Sequence, residues 1–210
     1  MLRNAGVFPG GQTRCLEIGF GALGWLGDLV TWGVAEGRIS GIDLNTARVN
    51  LMRAQLPNAD LRAGDASELP WDDCHFQLVI ASTVFSSILD LEMRSKVANE
   101  IERVLTPGGS LLWYDFRFFN PRNPDVRCVT KNELRRLFPR LEGRCRSVTL
   151  APPLCRMVAP LSWILACMLG SLPFLRTHLL AVLLKPAPRT QSAVATSVKI
   201  PVGLTTSRRP

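Results

Sequence analysis

The chain has 210 residues, 47% of them hydrophobic, and carries 25 Lys and Arg against 17 Asp and Glu for a formal net charge of +8, enough for one substantial domain with its own core. Its basic residues are scattered from Arg3 to Arg209 in runs no longer than two, and one Tyr leaves little to stack on bases, which argues against a nucleic-acid partner. Six cysteines without a C-x-x-C pair and only two histidines exclude a paired zinc framework, so no metal is expected.

Residues 1–13 are polar and Gly-rich, with no secretory apolar run, so reduced thiols in a cytoplasm are the expectation. Arg14 to Ile18 reads as the first strand and runs into Gly19-Phe20-Gly21, after which Gly24 to Val34 reads as a helix. Arg38 to Leu44 is a second strand ending in Asp43, and Asn45 can cap a helix carrying Val49, Met52 and Leu56 on one face. Ala59 to Ala63 is a third strand, closed by Gly64-Asp65, and Phe76 to Ala81 is a buried fourth. Asp90 can cap a helix with Val97, Ile101, Val104 and Leu105 inward, stopped by Pro107-Gly108-Gly109. Ser110 to Phe116 is the fifth strand, Thr130 to Glu133 a capping box, Cys145 to Leu150 the sixth strand and His178 to Leu184 the seventh. Strands alternating with helices predict an α/β fold with a parallel sheet, one domain over 1–186 with an apolar insertion at about 152–176, and a disordered tail over 187–210.

The sharpest signal is Leu16-Glu17-Ile18-Gly19-Phe20-Gly21-Ala22-Leu23-Gly24, followed by Asp43 twenty-four residues after Gly19. Glycines at a strand-to-helix turn let a ligand approach the backbone, and a carboxylate ending the next strand can accept both ribose hydroxyls of an adenosine. Taken alone, the pattern also fits a nicotinamide-dinucleotide oxidoreductase or a bare tight turn. Glu17 shifts the balance, because a carboxylate there repels a pyrophosphate and attracts a ligand bearing an ammonium and a sulfonium. Asp65 and Ser82 follow at the ends of successive strands, the rim where open α/β sheets bind ligands.

With these motifs the chain resembles the class I S-adenosylmethionine-dependent methyltransferases, in particular the ubiquinone/menaquinone-biosynthesis-like group acting on small molecules. The resemblance runs from about Arg14 to Asp115 and rests on Leu-Glu-Ile-Gly-Phe-Gly (16–21), Gly-Ile-Asp-Leu (41–44), Gly-Asp-Ala-Ser-Glu-Leu-Pro-Trp (64–71), Phe-Gln-Leu-Val-Ile-Ala-Ser (76–82) and Val-Leu-Thr-Pro-Gly-Gly-Ser-Leu (104–111). It implies a Rossmann-like, open, seven-stranded, mostly parallel sheet in the order 3-2-1-4-5-7-6, its last strand antiparallel, with helices on both faces. It also implies S-adenosyl-L-methionine as cofactor. Gly19 and Gly21 would lie under the methionine part with Glu17 supporting its amine. Asp43, beside Leu44, would hold the ribose, Asp65 and Ala66 the adenine, and Ser82 would lie near the methyl group. Gln77 stands where the family commonly has Asp, and only about thirteen residues precede the first strand, so other segments are expected to supply closure over the substrate.

Methyl transfer needs alignment and exclusion of water more than a dedicated base. Asp115, at the exit of the fifth strand, is the weak catalytic candidate, with a loop carboxylate paired to Arg117 or Arg122 as the alternative; His75 sits at the wrong end of its strand. The loop 115–124 is read either as acceptor-pocket wall or as a Pro-fixed connection. Met157 to Leu175 is nineteen residues without a charge. It is expected to form a helix or hairpin over the active-site mouth, with a peripheral membrane contact as the alternative; Pro160 and Pro173 argue against a span. The partner is then a small-molecule methyl acceptor, apolar if this segment covers the mouth. The rival functions are an NAD(P)-dependent oxidoreductase and a non-catalytic cofactor-binding module.

Overall fold

The computed structural model describes residues 1–22, 24–118 and 125–187. The expected tail after residue 187 and the loop positions 119–124 lie outside the described residues. Seven strands form one sheet in the order β3-β2-β1-β4-β5-β7-β6. They are β1 (Cys15–Ile18), β2 (Ile39–Asp43), β3 (Asp60–Ala63), β4 (Phe76–Ser82), β5 (Leu105–Phe116), β6 (Glu142–Leu150) and β7 (Arg176–Leu184). The first five run parallel. β7 pairs antiparallel with both β5 and β6, so β6 points the same way as β5. This is the architecture the resemblance implied.

Among the described residues six α-helices accompany the sheet: α1 (Leu26–Thr31), α2 (Thr46–Gln55), α3 (Leu91–Val104), α4 (Lys131–Leu137), α5 (Pro152–Val158) and α6 (Trp163–Ser171). β1 and β2 are buried at every position because helices cover both faces, and they read as continuous apolar runs, not alternating ones. On one face Val97, Ala98, Ile101 and Val104 of α3 pack with Leu134, Phe138 and Trp113. On the other, Leu26 and Leu29 of α1 and Val49 of α2 pack with Leu2, Ile80 and Leu112. Each fully buried large apolar side chain of α3 contributes about 1.5–3 kcal/mol, which holds this marginal helix against the sheet.

Several boundaries depart from the sequence reading. α1 is six residues where Gly24 to Val34 was expected: the Glu17 carboxylate caps its start at the Trp25 amide, and Gly33 at φ +92° ends it. β5 begins at Leu105, with a register shift against β4 between Phe76 and Leu78 before the regular ladder resumes at Ser110. The capping box is half formed: Thr130 Oγ1 accepts from the Glu133 amide, but the Glu133 carboxylate pairs with buried Arg94 instead of returning to Thr130. Gln77 has a structural task, its Oε1 accepting from the Arg14 amide at 2.7 Å and tying the starts of β1 and β4 together.

Candidate functional site

The strand ends carry the site. β1 delivers the chain into a turn in which Gly19 and Gly21 have φ +61° and +55°, the left-handed region that favours glycine. A Cβ on Gly19 would stand 2.9 Å from Val84 Cγ2, whereas one on Gly21 would meet only Gly19 O at 3.9 Å and Arg48 Nη1 at 4.0 Å. The turn is bonded to its neighbours: the Gly19 amide donates to Ile42 O at 2.7 Å, and the Gly21 amide donates to Asp43 Oδ2 at 2.8 Å. Asp43 Oδ1 accepts from the Asn45 amide at 2.8 Å. Asn45 in turn caps α2 by accepting from Arg48. Each Asp43 oxygen keeps a second lone pair for a ligand hydroxyl, and its carboxylate is fixed before any ligand arrives.

These groups wall a cavity of about 520 Å³, within the usual range of about 300–1,000 Å³ for small-molecule sites. Gly19, Gly21, Asp43, Leu44, Asp65 and Ala66 all line it. Asp65 caps its own turn, Oδ1 accepting from the Ser67 amide at 2.8 Å. A larger opening of about 690 Å³ lies at the opposite rim, between Asp73, Glu102, Arg140 and Lys185; it faces the strand starts and has none of the glycine-turn geometry.

Three expected site residues are not brought to the cavity wall. Glu17 is 1% exposed, and its two oxygens accept from the Trp25 amide at 2.9 and 2.8 Å. The carboxylate of β1 therefore caps α1, whose own cap residue, Trp25, offers no side-chain acceptor. Gly24 permits this approach, since a Cβ there would stand 3.0 Å from Glu17 Oε2. The charge argument drawn from Glu17 against a pyrophosphate thus loses its footing at the wall. Ser82 ends β4, but Thr83, at φ +55°, and Val84 face the cavity in its place. Asp115 is fully buried, with Oδ2 accepting from the Ser86 amide at 3.0 Å and Oδ1 from the Phe116 amide at 2.8 Å. Both bonds are to backbone amides, Arg122 lies outside the described residues, and burial raises the Asp115 pKa above the usual carboxylate range.

The sequence reading missed Arg48, Thr83, Val84 and Met93 on the wall. Arg48 was findable, because an Asn45 cap puts it in the first turn of α2, above the strand ends. Thr83 was not, since nothing local marks a threonine for a left-handed turn.

Burial pushes the Glu17 pKa from 4.5 up to about 7, against the Trp25 and Leu26 amides that pull it down. In the folded chain the group keeps a proton that the unfolded chain has already released. Its stabilising contribution is full below about pH 4.5 and lost as pH rises through about 7. Urea unfolding of Glu17→Gln, which is neutral at all pH, should therefore gain on wild type by ~1–3 kcal/mol between pH 5 and pH 8. A pH-independent difference would contradict the burial argument.

The apolar segment does not wall the cavity that a helix or hairpin was expected to cover. Because β6 ends and β7 begins at the same rim as the glycine turn, α5 and α6 rise beside the site, but they pack on β6 at the sheet edge. None of their residues lines the 520 Å³ cavity.

Comparison with known proteins agrees with this geometry. A family model described as a methyltransferase domain matches residues 15–109. The chain is similar to the demethylmenaquinone methyltransferase of Chlorobaculum parvum, 28% identical over 54% of this chain and 45% of that protein. It is also similar to a phthiotriol/phenolphthiotriol dimycocerosates methyltransferase of Mycobacterium ulcerans, 36% identical over 50% of this chain and 38% of that one. The chain thus spans less than half the length of either relative. Among solved structures, a SAM-dependent methyltransferase from Archaeoglobus fulgidus superposes with a TM-score of 0.65, at 15% identity, over 88% of this chain and 91% of that one.

Proposed function

We propose that the chain, whose residues 15–109 match a methyltransferase-domain model, is a class I S-adenosylmethionine-dependent methyltransferase that transfers a methyl group to a small molecule. The observation that carries the reading is the pre-bonded trio of Gly21, Asp43 and Asn45 beside an open 520 Å³ cavity. S-adenosyl-L-methionine fits these residues: Gly21 leaves space where a side chain would intrude, Asp43 can accept from ribose hydroxyls, and Asp65 with Ala66 suits the adenine edge. When bound it supplies an electrophilic methyl on a sulfonium.

The protein's part is placement. Asp43 would hold the ribose and Asp65 with Ala66 the adenine, which would keep the methyl donor fixed beside an acceptor in the cavity. Among the described residues lining the cavity, the titratable groups are Asp43, Asp65 and Arg48, so we assign no dedicated base. Holding the reactants in line accounts for up to about 7–11 kcal/mol of barrier reduction. Val84, Ile88, Met93 and Val97 supply an apolar wall that excludes water. We read residues 1–186 as one catalytic domain with its apolar insertion at about 152–176. Calorimetric titration with S-adenosylhomocysteine and, separately, NADH tests the cofactor reading. Low-micromolar binding of the first alone, near −8 kcal/mol, is the expected result; NADH as the tighter ligand would overturn it.

A further inference from the structure

We propose that the α5–α6 hairpin is a monotopic anchor that inserts into an anionic lipid bilayer. The exposed apolar surface of the described chain is concentrated there: Met157, Leu161, Trp163, Ile164, Met168 and Phe174 are between 63% and 85% exposed. α6 (WILACMLGS) has no charged residue on any side and buries only Ala166. A helix apolar all round belongs in an apolar medium, and the one face of α6 that meets β6 leaves the rest uncovered. At nine residues it reaches roughly 14 Å, less than half of a hydrocarbon core of about 30 Å. No helix among the described residues is long and apolar enough to cross a membrane. Lying in the interface is the arrangement that fits both facts.

Charge selects the kind of surface. Glu142 is the last acidic residue in the sequence; nine Lys and Arg and no Asp or Glu follow it, four of them beyond residue 187, so the hairpin lies in an acid-free stretch of the chain. Arg156 is exposed on α5. At the foot of the hairpin, Arg117 donates to Pro173 O at 3.0 Å and Arg176 to Gly170 O at 2.7 Å. Arg176 spends all three of its nitrogens on the carbonyls of Gly170, Ser147 and Ser171 and so braces the hairpin. This leaves exposed Arg156 beside the apolar tip as the guanidinium placed to meet headgroup phosphates while its stem stays in the interface. A second copy is the poorer occupant, because a two-fold contact sets the patch against itself. Here that would bring one acid-free, Arg-bearing face against another.

Docking so oriented would present the strand-end rim to the lipid surface, since the hairpin rises from that rim. The inference does not rest on the methyltransferase reading. The test is co-sedimentation of the full chain with vesicles of phosphatidylcholine alone or equimolar with phosphatidylglycerol, beside the double variant Ile164→Glu/Met168→Glu. Both positions are exposed, so far-UV circular dichroism and the urea midpoint should match wild type and confirm folding. Wild type should partition onto the anionic vesicles at least about tenfold more strongly than the variant, more weakly onto the neutral ones, and less at high salt. Equal partitioning of the two proteins would overturn the proposal. So would a lipid-free dimer that the double variant dissociates while neither protein sediments with vesicles.

Discussion

Gly19→Ala is expected to weaken S-adenosylhomocysteine binding by at least about thirtyfold, roughly 2 kcal/mol. Gly19 sits at φ +61°, where a side chain costs about 1–2 kcal/mol of backbone strain. The added Cβ would also stand 2.9 Å from Val84 Cγ2, a contact that does not survive without movement. Val84 is part of the cavity wall. Relief therefore moves either that wall inward or the turn out of its left-handed conformation, and the second move detaches the Gly21 amide from Asp43. Gly21→Ala is the comparison: at φ +55° it carries the same backbone strain, but its Cβ meets nothing closer than 3.9 Å within the protein. It should leave the urea midpoint closer to wild type while placing a methyl group in ligand space. Calorimetry and urea unfolding on the two variants separate these effects. Wild-type affinity in Gly19→Ala would show that the turn is not the ligand's floor.

The largest stability effect is expected at Arg94. Its side chain is fully buried on α3, and the guanidinium donates to Ile88 O at 2.7 Å, to the Glu133 carboxylate and to Arg127 O at 2.9 Å. It thereby fastens α3 to the loop after β4, to the segment before α4 and to α4 itself. Arg94→Ala should cost about 3–5 kcal/mol in urea unfolding, because it strands a partly buried carboxylate and two carbonyls. Arg94→Lys should recover only part of that, since an ammonium on a flexible stem does not reproduce the fork. Ile88 also lines the cavity, so the alanine variant should bind cofactor more weakly than wild type. A loss below about 1 kcal/mol would mean that water replaces the network at little cost.

What the sequence made legible, and what it hid, follows from the range of the interactions. The parallel strands were readable because continuous apolar runs such as Phe76 to Ala81 end in turn residues. The pairing of turn and acid was readable because Gly19, Gly21 and Asp43 must lie at consecutive strand ends. The bond of Glu17 to α1 was hidden because nothing local says that a strand carboxylate will reach forward eight residues to cap α1 at Trp25. Glu133 carried a capping-box signature, yet buried Arg94, 39 residues earlier, won its carboxylate. Asp115 lies on the right rim, but its side chain turns inward to the Ser86 amide, and strand alternation alone did not decide between it and Tyr114. The apolar segment 157–175 showed its composition without its address, which is set by the pairing of β6 with β7.

The account stands or falls on whether the Asp43 carboxylate, held by the Gly21 and Asn45 amides at 2.8 Å each, grips an adenosine derivative. Calorimetric titration of S-adenosylhomocysteine into wild type and Asp43→Asn measures this directly. The account predicts low-micromolar binding to wild type, weakened at least about tenfold, or 1.4 kcal/mol, in a variant whose side-chain amide retains only one acceptor oxygen. Equal affinity for the two proteins, or no binding to either, would contradict it.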